Sequence, residues 1–179
     1  MIRNRLLAIA TLSSLVAACS QVSEVKPGKN EVLGLFTVEN SVAWNRISDS
    51  NSETWTLDGP FLQNLAFKTN ISDGENIFRE EGSEDGPNRI YRNMPKFRKG
   101  MTEPEIGEMI VASISQLGSA NARSLGMKPS LFGGRNGFAI EIEFSEDDGL
   151  NKRMLVHGMS SGDKLHLVMF SAPALYYFD

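Results

Sequence analysis

Cysteine is nearly absent from this chain: its 179 residues contain one, Cys19. An intramolecular disulfide and a thiolate zinc cluster are both excluded by that count. Histidine is almost as scarce, with only His157 and His166. No apolar run reaches the roughly 20 residues that a transmembrane helix needs. The longest, Leu6 to Ala18, is shorter and carries Thr11, Ser13 and Ser14. Basic charge is not in excess either. Lys and Arg number 18 against 22 Asp and Glu, a net charge of −4, so nucleic acid is not an expected partner. There is no G-x-S-x-G elbow, and the acidic loops lack the spacing of an EF-hand. Gly133-Gly134-Arg135-Asn136-Gly137 precedes a strand and not a helix N-terminus, so it reads as a turn and not as a phosphate cradle.

What the chain does have begins at its N-terminus. Arg3 and Arg5 precede the apolar stretch, which closes in Leu15-Val16-Ala17-Ala18-Cys19. This is the layout of a secretory signal. Its end resembles the lipobox of bacterial lipoproteins, with Val16 where leucine is more usual. That resemblance implies cleavage before Cys19, acylation of its thiol and usually of its new amine, and a membrane-attached product. Ser20 in place of an aspartate implies the outer membrane, facing the periplasm. Plain cleavage near Ala18 would instead leave a soluble chain with a free thiol. One acyl chain holds only marginally, whereas two or three hold firmly. The expected organisation is a signal peptide over 1–18, a lipidated cysteine and polar tether over 19–30, and a single α+β domain over 31–179. Loss of Arg3 and Arg5 takes Lys and Arg from 18 to 16 and the formal balance to −6.

Within that domain the strand candidates are 31–38, 42–47, 53–57 and 61–67, each rich in β-branched or aromatic residues. The clearest helix follows Thr102, which with Glu105 makes a capping box. Pro104 falls in its first turn, where a missing N–H costs nothing. Ile106, Met109, Ile110, Ile114 and Leu117 recur at helical spacing, and Gly118 ends the run. The C-terminal third predicts an antiparallel meander of three strands, about 138–144, 152–158 and 164–171. A two-residue Ser161-Gly162 loop would pair Val156 with Leu167, Met154 with Met169 and His157 with His166. The fold class is therefore α+β, an antiparallel sheet with one main amphipathic helix packed on it. The last residues, Pro173 to Asp179, are dense in large apolar groups and are expected to dock or to continue into another element. The body resembles uncharacterised small bacterial lipoproteins and the PsbP/Mog1-like α+β architecture. In the latter a terminal helix follows such a strand, which implies that this chain stops short of it.

Two groups of residues could carry chemistry. His157 and His166, with Glu141 or Glu143 from the neighbouring strand, would offer nitrogen and oxygen ligands for Zn²⁺ or Cu²⁺; the competing reading is polar decoration on a half-exposed sheet face. Arg89, Arg92, Lys96, Arg98 and Lys99, interleaved with Tyr91 and Phe97, form a basic stretch suited to an anionic envelope component or a membrane surface. Its alternative is a solvated loop offset by the acidic run over 80–85. Trp44 and Trp55 read as core-edge packing before they read as a ligand groove.

Three functions stay open on the sequence. The first is a non-enzymatic accessory or interaction module, anchored at Cys19 and meeting an envelope protein. The second is a binding module for a small ligand or an anionic envelope component. The third is a hydrolase or metal-dependent enzyme centred on His157 and His166. No organic cofactor is called for by any of them.

Overall fold

The computed structural model describes residues 21–48, 52–78 and 93–178. The strands are β1 (Gln21–Val25), β2 (Gly28–Val32), β3 (Phe36–Asn40), β4 (Trp44–Ser48), β5 (Ser52–Thr56), β6 (Asn64–Ile71), β7 (Ala120–Phe132), β8 (Arg135–Ser145), β9 (Asn151–Ser161) and β10 (Lys164–Pro173). Eight of them form one antiparallel sheet in the order β1-β4-β5-β6-β10-β9-β8-β7, and β2 and β3 form a separate hairpin. The main helix, α1, runs from Glu103 to Gln116, and a single turn, α2, spans Ala174–Tyr177. The fold is α+β, with the predicted C-terminal meander inside a larger sheet.

Local chemistry explains α1. The Thr102 N–H donates to Glu105 Oε2 at 2.7 Å, closing the start of the helix, and these hydrogen bonds hold the Glu105 carboxyl below its ordinary range. Ile106, Met109, Ile110 and Ile114 are buried. They pack against Phe138, Ile140, Ile142, Val156, Leu165 and Leu167 from β8, β9 and β10. Each such side chain contributes about 1.5–3 kcal/mol by leaving water. Leu117, expected in the same stripe, is exposed instead because the helix is capped there. Gly158 on β9 has no room for a side chain: a Cβ would overlap the Phe138 ring and Leu167.

The opposite face of the sheet is covered by the β2–β3 hairpin. Val32 of β2 is fully buried with Val25, Trp55 and Phe67, and Phe36, Val38, Trp44, Leu65 and Val168 pack around them. Trp55 donates its Nε1–H to the buried Glu53 carboxylate at 2.6 Å, and Arg46 Nε lies 2.8 Å from the same oxygen. Both tryptophans are thus packing residues, 6.4 Å apart.

Several sequence expectations need correction. The tether over 19–30 does not persist to residue 30, because Gln21–Val25 is an edge strand of the main sheet and Val25 is buried. The single strand over 31–38 is a hairpin instead. Leu33 and Gly34 both adopt left-handed φ, +51° and +65°, and reverse the chain between Val32 and Phe36. The strand placed at 61–67 begins at Asn64, since Leu62 and Gln63 donate their N–H groups to Gly59 in a turn. In the β9–β10 hairpin the loop is Gly162-Asp163, with Gly162 at φ +65° in its first position. Val156 therefore pairs with Met169 and Met154 with Ser171. A shift of two residues per pair leaves every side chain on its expected face, so the inward set survives the wrong register. The C-terminal segment docks: Phe178 packs on Phe170 at 5.6 Å, and Tyr177 donates to Asp58 at 2.6 Å.

Candidate functional site

Strand alternation places the site. On β10, Lys164, His166 and Val168 point away from α1; on β9, Ser161, Met159 and His157 stand opposite them in that order. Across β8 the row continues with Arg135, beside Phe132 of β7, and with Ala139, beside His157. The β2–β3 hairpin forms a roof with Leu35, Phe36, Thr37 and Val38. Floor and roof enclose an open cleft of about 890 Å³, within the usual range for small-molecule sites. The edge of the Phe36 ring meets Phe132 at 5.3 Å and His166 at 5.8 Å, which fixes the roof over the outer end of the floor.

The cleft is polarised. Arg135 and Lys164 occupy its outermost row, beside the β7–β8 and β9–β10 turns. Met159, Val168, Phe36 and Val38 line it further in. No acidic residue is among the described residues that line it. Lys164 Nζ donates to Ser72 Oγ at 2.8 Å, and neither Lys164 nor Arg135 forms an ion pair with a described carboxylate.

The two histidines share this cleft but are not directly opposed. His157 faces Val168 and His166 faces Met159, so the predicted cross-strand pair becomes a diagonal one. His166 is largely buried, and its Nδ1 accepts the Asn70 N–H at 3.4 Å, which leaves the proton of the neutral ring on Nε2. Burial first, then the charges of Arg135 and Lys164, push its pKa below the ordinary histidine value. His157 Nδ1 lies 3.3 Å from Ser130 Oγ of β7, reaching across β8 over the small residues Gly137 and Ala139.

Neither enzymatic arrangement is completed by the described residues. Glu141 and Glu143, proposed as further metal ligands, are engaged by Arg153 and Arg123, at 3.4 Å and 2.9 Å respectively. Among the described residues no three His, Cys, Asp or Glu side chains converge. The Ser130–His157 pair has the spacing of a nucleophile and base, yet no described carboxylate is hydrogen-bonded to His157 to orient it.

The basic stretch divides. Arg89, Tyr91 and Arg92 lie outside the described residues, as does Cys19. Lys96, Arg98 and Lys99 are exposed. Phe97 is a correction: it is 2% exposed in the helix-side core and offers no face to a ligand. The cause is local pairing with the 72–75 turn, where Phe97 donates its N–H to Glu75 and accepts from Gly74, locking the ring inward. Of the cleft residues, Phe36, Phe132 and Lys164 carry no functional reading in the sequence, and Arg135 is read there only as part of a turn. Gly34, at the hairpin turn, was the one readable signal that a roof existed.

Among the described residues no helix is long and apolar enough to cross a membrane. No protein-family model matches the chain, and no curated protein matches it.

Proposed function

We propose that the chain is a lipid-anchored module of a bacterial cell envelope that holds a small ligand between its sheet and its β2–β3 hairpin. The anchor reading rests on the lipobox-like residues Val16 to Cys19 behind a basic and apolar leader. It places the protein at a membrane through its lipid, with the outer membrane favoured by Ser20. Cys19 is two residues from β1, so a fully extended link spans only about 7 Å, and the sheet edge would ride close to the bilayer.

The observation that carries the binding reading is the cleft itself: concave, with apolar side chains and converging polar groups on its walls. An exposed, described part of the basic stretch, Lys96 and Arg98, remains available to an anionic envelope component as a separate contact.

Two measurements test this. Membrane fractions of cells expressing the wild-type chain and Cys19→Ser should differ, with lipid-labelled mature protein in the first only. An unmodified thiol on mature wild-type protein contradicts the anchor. Native mass spectrometry of the full chain released gently from its own envelope should show a retained small molecule. That molecule should be lost in Val168→Trp, which fills the cleft floor. Absence of any adduct, together with no binding of any amphiphile in vitro, overturns the binding reading.

A further inference from the structure

We propose that the cleft takes a single-chain anionic amphiphile, its headgroup held by Arg135 and Lys164 at the mouth and its chain lying along the lining residues Phe36 and Val38 of the hairpin and Met159 and Val168 of the sheet. The inference rests on the cleft being a ligand site and specifies what that site accepts.

Charge decides the headgroup. The mouth carries two cationic side chains that form no ion pair with a described carboxylate, and no acidic side chain is among the described residues that line the interior. An anion there gains charge-assisted hydrogen bonds from a guanidinium and an ammonium group. A cationic headgroup meets like charge from both. Lys164 is already oriented by its bond to Ser72, so little side-chain freedom is lost when the anion arrives. His166 sits one row behind, buried and neutral at neutral pH, so the positive charge offered to the headgroup is that of Arg135 and Lys164.

Shape and polarity decide the body. Behind the mouth Phe36, Val38, Met159 and Val168 supply an apolar wall beside the polar Thr37, Asn70, His157 and His166, and Phe36 packs edge to face on Phe132 where roof meets floor. Free inorganic phosphate would use the mouth and leave these walls in water. An alkyl chain covers them, and each methylene buried tightens binding by about three- to fourfold. The roof is a two-stranded hairpin outside the main sheet's ladder, anchored by the buried Val32, so the cleft beside it is already formed.

The test is calorimetric titration of the non-acylated full chain, produced in vitro, with probes kept below their micelle concentrations. Decanoate and decyl phosphate are expected to bind, with octanoate about tenfold weaker than decanoate. Inorganic phosphate and decyltrimethylammonium are expected to bind at least tenfold more weakly than the matching anionic amphiphile. Arg135→Gln combined with Lys164→Gln should weaken decanoate at least tenfold with an unchanged circular dichroism spectrum, and both surface substitutions leave the core intact. Raised salt should weaken it too. Comparison of decanoate with decyl phosphate separates a fatty-acid source from a phosphate-headed one. Equal binding of the cationic and anionic probes, lost together in Val168→Trp, would overturn the headgroup assignment while leaving the cleft as a ligand site. Tight binding of phosphate alone would overturn the role of the chain. Failure of every probe, with no adduct on the native protein, would remove the binding reading itself.

Discussion

The two faces of the sheet are built to different standards. On the α1 face, helix and strands interlock around Ile110, Ile114, Phe138, Ile142, Leu165 and Leu167, all buried to within 2%. On the hairpin face the buried cluster is Val25, Val32, Trp55 and Phe67, and the apolar residues packed against it are half-covered. The difference lies in the covering element. A helix presents a continuous stripe to a sheet, whereas a two-stranded hairpin offers alternate residues of two short strands. Space is left beside it, and the cations and histidines of the chain's last third line that space. Stability is concentrated on one face and the candidate site on the other.

Substitutions should separate the two. The largest effect is expected from Phe138→Ala, which opens a cavity under α1 and should cost about 3–5 kcal/mol in urea unfolding. Phe36→Ala removes a comparable ring from the half-open face and should cost less than half as much while abolishing amphiphile binding. A similar cost for both would erase the distinction. Next comes Glu53→Ala, which leaves the Trp55 indole N–H unpaired in a buried site and should cost about 1–3 kcal/mol, read by the same unfolding.

An acid-sensitive contribution should come from His166. Its folded pKa lies below the ordinary value, so the unfolded chain binds the proton first as pH falls. The stability tied to the neutral ring is present above about pH 6.5 and is lost as pH drops toward the lower folded pKa. Burial sets this first, and the charges of Arg135 on β8 and Lys164 on β10 add to it; the roof residues Leu35, Phe36, Thr37 and Val38 carry no charge. Urea unfolding at pH 8 and pH 5.5 should show a larger loss in wild type than in His166→Gln. Equal losses would mean that the ring is not held neutral. Smallest of all should be Thr102→Ala at the α1 cap, about 1 kcal/mol, with no change in ligand binding.

Much of the α1 face was legible in the sequence because its signals are local. Thr102, Glu105 and the Ile106–Ile114 stripe specify a helix without reference to anything distant. The alternation over 138–144 specifies an inward strand face equally well. The β9–β10 register was missed because Ser161-Gly162 and Gly162-Asp163 are both plausible turns, yet the inward face was right since the error was even. The hairpin face was less legible for a physical reason. Its roof needs the Leu33-Gly34 reversal, its floor brings residues 70, 135, 157 and 166 together over long sequence separations, and β7 is an edge strand whose two register breaks blur any alternation. Phe97 misled for the opposite reason: its basic neighbours are exposed, but its own ring is held inward by pairing with the 72–75 turn.

The most direct measurement is amide hydrogen exchange of the full chain with and without decanoate. Slower exchange is expected in β2, β3 and the β9–β10 turn, with α1 and the centre of β8 unchanged. Protection confined to α1 and β8, or no protection anywhere at saturating decanoate, would contradict the assignment of ligand binding to the hairpin face.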